Sequence, residues 1–167
     1  MAHERGWSIA RDGEYFRRVV ASPRPKRILE LGVIKRLVGQ RVLVICAGGG
    51  GIPVVRREDG SLVGVEAVID KDAASSLLAR ALKADALLML TDVDALHLYW
   101  GTARARPLRQ VTSKVLRRLR FAPGSMAPKV RAACDFVEQG GGLAGIGALA
   151  DARAILQGEA GTLITRD

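Results

Sequence analysis

A loop of four consecutive glycines is the first feature of this sequence that could do chemistry: Gly48, Gly49, Gly50 and Gly51. Glycine adopts backbone conformations closed to other residues, and without a side chain it lets a ligand approach the main-chain N–H groups. The loop follows an apolar run at 42–46 that is rich in β-branched residues, which predicts a strand buried on both faces of a sheet. Such a loop suits an anion, and a tight turn without a ligand is the alternative.

Two common phosphate motifs do not fit this loop. Gly51 is followed by Ile52 and Pro53, so the Gly-Lys-Ser/Thr ending of a P-loop is missing. A dinucleotide fingerprint requires a helix directly after the glycines. Here the turn signal Asp59-Gly60, between short apolar runs, predicts a hairpin instead. The sequence therefore predicts a different kind of phosphate or carboxylate cradle.

Charged side chains stand where a helix is predicted to begin. Asp70, Lys71 and Asp72 precede the helical pattern that continues through 73–83. The free N–H groups and the dipole at a helix N-terminus favour negative charge there. Asp70 could equally be a plain helix cap.

A second polar group follows an apolar run at 86–90, which predicts another buried strand. Thr91, Asp92, Val93 and Asp94 come directly after it. Open α/β sheets bind their ligands at the carboxyl ends of their strands, so these residues are candidates for a binding site.

The elements that must position these residues alternate between strands and helices. Helices are predicted over 28–39, 72–83, 112–119, 128–139 and 151–156, and strands over 17–20, 42–46, 54–57, 62–65, 86–90, 143–148 and 161–165. This alternation indicates a parallel or mostly parallel sheet with helices on both faces. At 167 residues the chain is expected to form one domain, 1–167, with Trp7, Tyr15 and Phe16 among its buried contacts.

The net charge of +9 raises the question of nucleic-acid binding. The basic residues are mostly arginines spread along the chain, and the densest cluster, Arg117, Arg118 and Arg120, is expected to be a solvated helix face. Two tryptophans, two tyrosines and three phenylalanines offer few rings on which bases could stack. We therefore expect no nucleic-acid partner.

The sequence also favours neither a membrane protein nor a disulfide-bonded protein. No apolar run approaches the roughly 20 residues that span a bilayer, and the first residues are too polar and acidic for a signal peptide. A soluble cytoplasmic protein is expected. Cys46 and Cys134 are far apart without metal-ligand spacing, which predicts buried, reduced thiols.

Four motifs occur in an order that matches a known family. They lie at 48–54, 65–72, 90–95 and 124–130, with shorter matches at 22–25 and 161–162. On these motifs the sequence resembles the C-terminal half of carbamate kinases, within the amino acid kinase family. The resemblance implies a three-layer α/β/α sandwich with a mostly parallel open sheet, in which this half chiefly binds the nucleotide. It also implies reversible phosphoryl transfer between ATP and carbamate, giving ADP and carbamoyl phosphate, in arginine catabolism.

The same resemblance implies roles for individual residues. Lys71 and Lys129 would flank the path of the transferred phosphoryl group, and Asp72 would hold the lysines in place. The amides of 48–51 would hold the acceptor or its phosphate. The nucleoside would be bordered by Thr91, Asp92, Val93, Met126 and Pro128. These roles suit phosphoryl transfer, which depends on positioning and on neutralising charge more than on covalent help.

Some residues keep alternative interpretations. Lys129 could be a solvated lysine in a first helical turn, and Asp92 a cap at a strand end. Asp94 could hold magnesium through water or merely terminate its turn. His3 and His97 fit no motif. The resemblance further implies ATP/ADP with Mg²⁺ as the nucleotide partner, no protein-only metal site, and a homodimer.

Whole carbamate kinases carry an N-terminal half with further substrate contacts, which these residues lack. Strands that should be interior would then become edges, so this chain alone is expected to be a truncated form of the kinase that is weak or inactive. A non-catalytic ATP-binding module derived from an amino acid kinase is the alternative. Acetylglutamate, aspartate and uridylate kinases are disfavoured by 69–72 and 124–126. Ala127 and Pro123 depart from the family pattern, where smaller residues are expected.

Overall fold

The computed structural model describes residues 4–121 and 125–167. His3, Pro123 and Gly124, named above, lie outside the described residues. The helices are α1 Leu31–Gly39, α2 Lys71–Leu82, α3 Ser113–Leu116, α4 Met126–Glu138 and α5 Ala152–Gln157. The strands are β1 Ile9–Asp12, β2 Tyr15–Arg18, β3 Val54–Arg56, β4 Leu62–Gly64, β5 Ala86–Thr91, β6 Leu96–Leu98, β7 Arg106–Leu108, β8 Gln110–Thr112, β9 Leu143–Ala148 and β10 Thr162–Thr165.

The main sheet has the strand order β5-β9-β10-β8. Strands β5 and β9 are parallel, as are β10 and β8, whereas β9 and β10 are antiparallel. The predicted α/β class with a mostly parallel sheet is confirmed. Hairpins β1–β2, β3–β4 and β6–β7 lie outside this sheet.

Helices cover both faces of the sheet, as the side chains of β9 show. Ala144 and Ile146 belong to the buried core that α4 forms with Val130, Phe136 and Val137. A methyl group on Gly145, between them in β9, would lie 2.5 Å from the Ile155 side chain of α5. Because neighbouring side chains of a strand point to opposite faces, α4 and α5 lie on opposite sides of the sheet. The architecture is therefore three-layered.

Periodicity predicted α2, α4, α5, β5, β9 and β10 to within two residues, whereas the strands β6, β7 and β8 were not predicted and α1 and α3 are shorter than expected. Helix α2 starts at Lys71 because Asp70, in extended conformation, accepts a hydrogen bond from the Ala73 N–H at 2.8 Å. It ends at Leu82, and Lys83, which caps it, adopts a left-handed conformation. The predicted 54–57 and 62–65 hairpin is also present, with Gly60 at positive φ in its turn and the Ser61 N–H bonded to Asp59 Oδ1.

The prediction of a buried strand at 42–46 was wrong. This segment lies in no strand and pairs with no other described segment, and Leu43 and Ile45 are 91% and 96% exposed. A strand needs hydrogen-bonding neighbours on its edges, and the described residues offer it none. The apolar pattern is therefore present without the sheet that would bury it.

The aromatic side chains that the sequence predicted to be buried are exposed. Tyr15 and Phe16 are 75% and 71% exposed on the β1–β2 hairpin, and Trp7 lies against the guanidinium groups of Arg5 and Arg18. A two-stranded hairpin has no second layer to bury its side chains. The predicted strand at 17–20 is β2, displaced toward the N-terminus. Cys134 is buried as expected, but Cys46 is exposed.

Among the described residues, no helix combines the length and apolar character needed to cross a bilayer.

Candidate active site

An ion pair between α2 and α4 forms the centre of the candidate site. The Lys129 ammonium nitrogen lies 3.0 Å from Oδ2 and 3.3 Å from Oδ1 of Asp72. Both side chains are largely buried, being 13% and 12% exposed. An ammonium group has three donors, so Asp72 fixes the position of the Lys129 charge and leaves donor capacity for a ligand oxygen. A solvated lysine in the first turn of α4 is therefore excluded.

The first turns of α2 and α4 lie at the carboxyl edge of the sheet. Each helix leads by a short connection into a parallel strand, α2 into β5 and α4 into β9. Helix α2 spans about 18 Å and β5 about 20 Å, so a helix that ends where its strand begins must start level with the end of that strand. Thr91 and Ala148, the last residues of β5 and β9, are register partners there.

The glycine loop contacts the start of α2. A methyl group on Gly50 would lie 2.0 Å from the Ile69 carbonyl oxygen and 3.3 Å from the Lys71 amide nitrogen. Only a glycine allows this approach, because Gly50 also has a φ of 121°. The Gly50 N–H is bonded to the Ala47 carbonyl at 2.6 Å. Gly50 thus packs the loop against the backbone at Ile69 and Lys71, where α2 begins.

The remaining glycines and Lys71 line an open surface. Gly48 and Gly51 have positive φ, and the Cβ direction of Gly48, Gly49 and Gly51 is empty to 4 Å. Lys71 is exposed at the first position of α2. Its ammonium group is therefore accessible to an anion held against the loop. The loop amides, Lys71 and the Lys129–Asp72 pair together make a region suited to a phosphate.

The turn after β5 carries the predicted nucleoside contacts. Thr91 Oγ1 lies 3.0 Å from an oxygen of Asp92, which is exposed, while Val93 is partly buried. Met126 and Pro128 are partly buried in the first turn of α4, and Met126 packs against the core. All five residues therefore lie along the carboxyl edge that also carries Lys129. Their contact with a nucleoside stays a prediction.

Sequence reasoning missed the contacts that hold this turn and the β6–β7 hairpin that follows it. The buried Thr162 hydroxyl accepts a hydrogen bond from the Leu96 N–H at 2.8 Å and donates one to the Leu108 carbonyl at 2.5 Å. A methyl group on Gly147 would lie 2.8 Å from the Asp94 carbonyl oxygen, so β9 approaches the turn closely. The Gly161-Thr162 pair was noted in the sequence, but its partners are distant in the chain.

The Asp94 carboxylate is hydrogen-bonded to the side chain of His97. Its Oδ1 lies 2.8 Å from His97 Nε2, and this hydrogen bond lowers the pKa of the Asp94 carboxyl below its ordinary value. The contact accounts for Asp94 as a residue that orders the turn. Among the described residues, no cluster of three His, Cys, Asp or Glu side chains could hold a metal ion.

Fold and site together define a three-layer α/β protein with a candidate anion site at the carboxyl edge of its sheet, beside two helix N-termini. The chain belongs to the amino acid kinase family, whose sequence model matches residues 6–145.

Within the amino acid kinase family, the chain is similar to carbamate kinases. The carbamate kinase of Haemophilus influenzae is 49% identical over 99% of this chain and 54% of that relative, and the carbamate kinase of Pyrococcus furiosus is 47% identical over 98% and 54%. A structure of the Giardia lamblia carbamate kinase bound to AMP-PNP has a TM-score of 0.90 at 44% identity, covering 100% of this chain and 54% of that one. The chain thus spans about half the length of the relatives it matches.

Proposed function

We propose that this chain is the nucleotide-binding part of a carbamate kinase-type phosphotransferase, which moves a phosphoryl group reversibly between ATP and carbamate to give ADP and carbamoyl phosphate. The observation that carries the proposal is the buried Lys129–Asp72 pair at an edge shared with Lys71 and the glycine loop. Identity of 47–49% to carbamate kinases supports the reaction class. The AMP-PNP complex of the Giardia lamblia relative supports binding of a nucleotide.

The chemistry follows from where the charges lie. Phosphoryl transfer concentrates negative charge on the oxygens of the transferred group, and positioned cations stabilise that charge best where water is scarce. Lys129 would supply a fixed charge, because Asp72 holds it, whereas Lys71 would supply an exposed one that can follow the phosphate. The amides of Gly48, Gly49 and Gly51 would bind the acceptor or its phosphate.

Magnesium would accompany the nucleotide and neutralise charge on its phosphates. The described residues offer no protein-only cage for it. Magnesium commonly keeps its waters and binds substrate phosphates with only one or two carboxylates, and this arrangement fits the site. The ion would therefore be held mainly by phosphate oxygens.

Further proposals rest on the resemblance to carbamate kinases. They are a role in arginine catabolism, a cytoplasmic location and a homodimeric assembly. A second candidate function is a non-catalytic ATP-binding module, which would share the nucleotide site and differ in carrying out no phosphoryl transfer.

Nucleotide titration tests the proposal. Calorimetry with AMP-PNP and Mg²⁺ should show saturable binding to the chain, and Lys129→Met should weaken that binding at least about tenfold, the effect of losing one charged hydrogen bond. Lys35→Met, at an exposed position of α1, is the matched control and should bind like the parent chain. No saturable binding would refute the proposal.

Activity then separates the two candidate functions. ATP formation from ADP and carbamoyl phosphate would support the phosphotransferase, even at a low rate. Nucleotide binding without any ATP formation, also in the presence of the remaining part of a relative, would support the module.

A further inference from the structure

Two buried side-chain atoms have no hydrogen-bond partner among residues 4–121 and 125–167, namely Ser76 Oγ and His97 Nδ1. A buried hydroxyl without a partner costs free energy, so native proteins keep few of them. Ser76 lies in α2 and is only 2% exposed. It follows Asp72, whose carboxylate holds Lys129 in the candidate site, by four residues. The Ser76 hydroxyl is thus a buried, unused donor one helical turn away from the charged pair.

Ser76 faces helix α4, because contacts between the two helices lie on either side of it. One turn before Ser76, Asp72 is bonded to Lys129 of α4. One turn after it, the Arg80 guanidinium donates to the Gln139 side chain at the end of α4. Residues four apart in a helix lie on the same face, with Cβ atoms about 5–6 Å apart. Ser76 therefore lies in the interface between α2 and α4, between these two contacts.

On this face of α2, the Asp72 carboxylate is the acceptor toward which the hydroxyl leans. Each Cα–Cβ bond of an α-helix tilts toward the helix N-terminus, so the Ser76 side chain leans toward the turn that carries Asp72. Ala133, four residues after Lys129 on α4 and 0% exposed, has no polar side-chain atom. Arg80 has donors only, and its Nε is bonded to the Ser76 carbonyl. A bond from the Ser76 hydroxyl therefore requires an oxygen of Asp72.

The Lys129–Asp72 pair leaves room for a further donor. The Lys129 ammonium nitrogen lies 3.0 Å from Oδ2 and 3.3 Å from Oδ1 of Asp72, so one ammonium group covers both oxygens. When one of its donors turns to a phosphate oxygen, the longer contact, to Oδ1, is the one to be lost. A buried carboxylate oxygen that loses its donor costs free energy. A hydroxyl that then donates to Oδ1 offsets this cost.

We propose that Ser76 is a positioning residue of the phosphate site. When a nucleotide phosphate binds Lys129, the Ser76 hydroxyl donates to Asp72 Oδ1, and Oδ2 keeps the ammonium group in place. This inference rests on the proposed function and deepens it, since Ser76 acts through Asp72 and touches neither the nucleotide nor its phosphates. The hydroxyl is unpaired in the free chain and paired in the complex, so it strengthens phosphate binding without stabilising the free chain.

Calorimetry on the 167-residue chain with AMP-PNP and Mg²⁺ tests this role. Ser76→Ala should weaken binding at least about fivefold, the effect of losing one hydrogen bond to a charged group. Its midpoint of urea denaturation should not fall, because the hydroxyl has no partner in the free chain. Ser75→Ala, the same change at a partly buried position of α2, is the matched control and should bind like the parent chain.

A second background tests the contact with Asp72 by stability alone. In Lys129→Met the carboxylate has lost its cation, so the Ser76 hydroxyl is free to donate to it. Adding Ser76→Ala should then lower the urea midpoint by about 0.5 M, although the same change in the parent chain does not lower it. In this background Ser76→Ala should leave the remaining AMP-PNP affinity unchanged, since the donor that it supports is absent.

The outcomes separate this inference from the proposed function. If the parent chain and Ser76→Ala bind AMP-PNP equally, the inference is overturned and the proposed function stands. A parent chain without saturable binding would refute the proposed function and this inference with it. Equal effects of Ser76→Ala on the urea midpoint in both backgrounds would show that the hydroxyl does not reach Asp72, which also overturns the inference. So would an equal loss of affinity in Ser75→Ala, since the effect would then belong to α2 as a whole.

Discussion

Lys129 Nζ lies 3.0 Å from Asp72 Oδ2, although 57 residues separate them in the sequence. The contact joins the first turn of α4 to the first turn of α2 and is largely shielded from water. It is also the point at which the motif at 65–72 meets the motif at 124–130. The ion pair therefore determines where the fixed positive charge of the candidate site lies.

Removing one member of this pair should destabilise the protein. Lys129→Met leaves the Asp72 carboxylate buried without its cation, and we expect the free energy of unfolding to fall by about 3 kcal/mol. Urea denaturation followed by circular dichroism measures the change. Combining Lys129→Met with Asp72→Asn should recover part of the loss, since the uncompensated charge is then gone. A double variant no more stable than Lys129→Met would contradict this explanation.

Gly50 should tolerate no side chain. In Gly50→Ala the methyl group would collide with the Ile69 carbonyl, at a φ that side chains rarely adopt. We expect the free energy of unfolding to fall by about 1–3 kcal/mol and AMP-PNP binding to weaken. Gly64→Ala in β4 is the matched control, because Gly64 has neither a positive φ nor an atom within 4 Å of its Cβ position and lies outside the candidate site. Equal effects of both substitutions would show that the close approach at Gly50 is unimportant.

The Thr162 hydroxyl should matter more than its methyl group. Thr162→Val keeps the shape but leaves the Leu96 N–H and the Leu108 carbonyl without this partner in a buried position, at a cost of about 2–4 kcal/mol. Hydrogen exchange of the Leu96 amide should accelerate in parallel. Thr165→Val, at the exposed end of β10, should change stability by less than about 0.5 kcal/mol. Unchanged exchange at Leu96 would contradict the assigned role.

The two cysteines should differ in reactivity, and one should make stability depend on alkaline pH. Burial raises the pKa of the Cys134 thiol from 9.0 to about 11, whereas Cys46 is exposed. A thiol reagent at pH 8 should therefore label Cys46 rapidly and Cys134 only on unfolding. Between pH 9 and 11 the unfolded chain loses the Cys134 proton while the folded chain retains it, so stability should fall as pH rises through this window.

Cys134→Ala provides the check on this pH dependence. Its unfolding free energy should decline less steeply between pH 9 and 11 than that of the parent chain, in urea titrations at several pH values. Cys46→Ser is the control and should keep the parent slope. Identical slopes for Cys134→Ala and the parent chain would show that the buried thiol does not cause the decline.

The sequence alone determined the elements that local pattern specifies. Helix α2 and strand β5 were predicted from periodicity, and the Asp70 cap and the Asp59-Gly60 turn from side-chain and backbone preferences that act within a few residues. The motifs also identified the residues of the candidate site, and the fold and family that they implied are confirmed. The roles of those residues stay predictions.

Tertiary structure decided what depends on partners distant in the chain. Only packing of α4 against α2 brings Lys129 to Asp72, and only the approach of β10 to the β6–β7 hairpin gives Thr162 its two backbone partners. Packing also overturned the prediction for 42–46, whose apolar side chains indicated a buried strand. A strand is stabilised by neighbours on its edges rather than by its own residues, and the described part of this chain does not supply them.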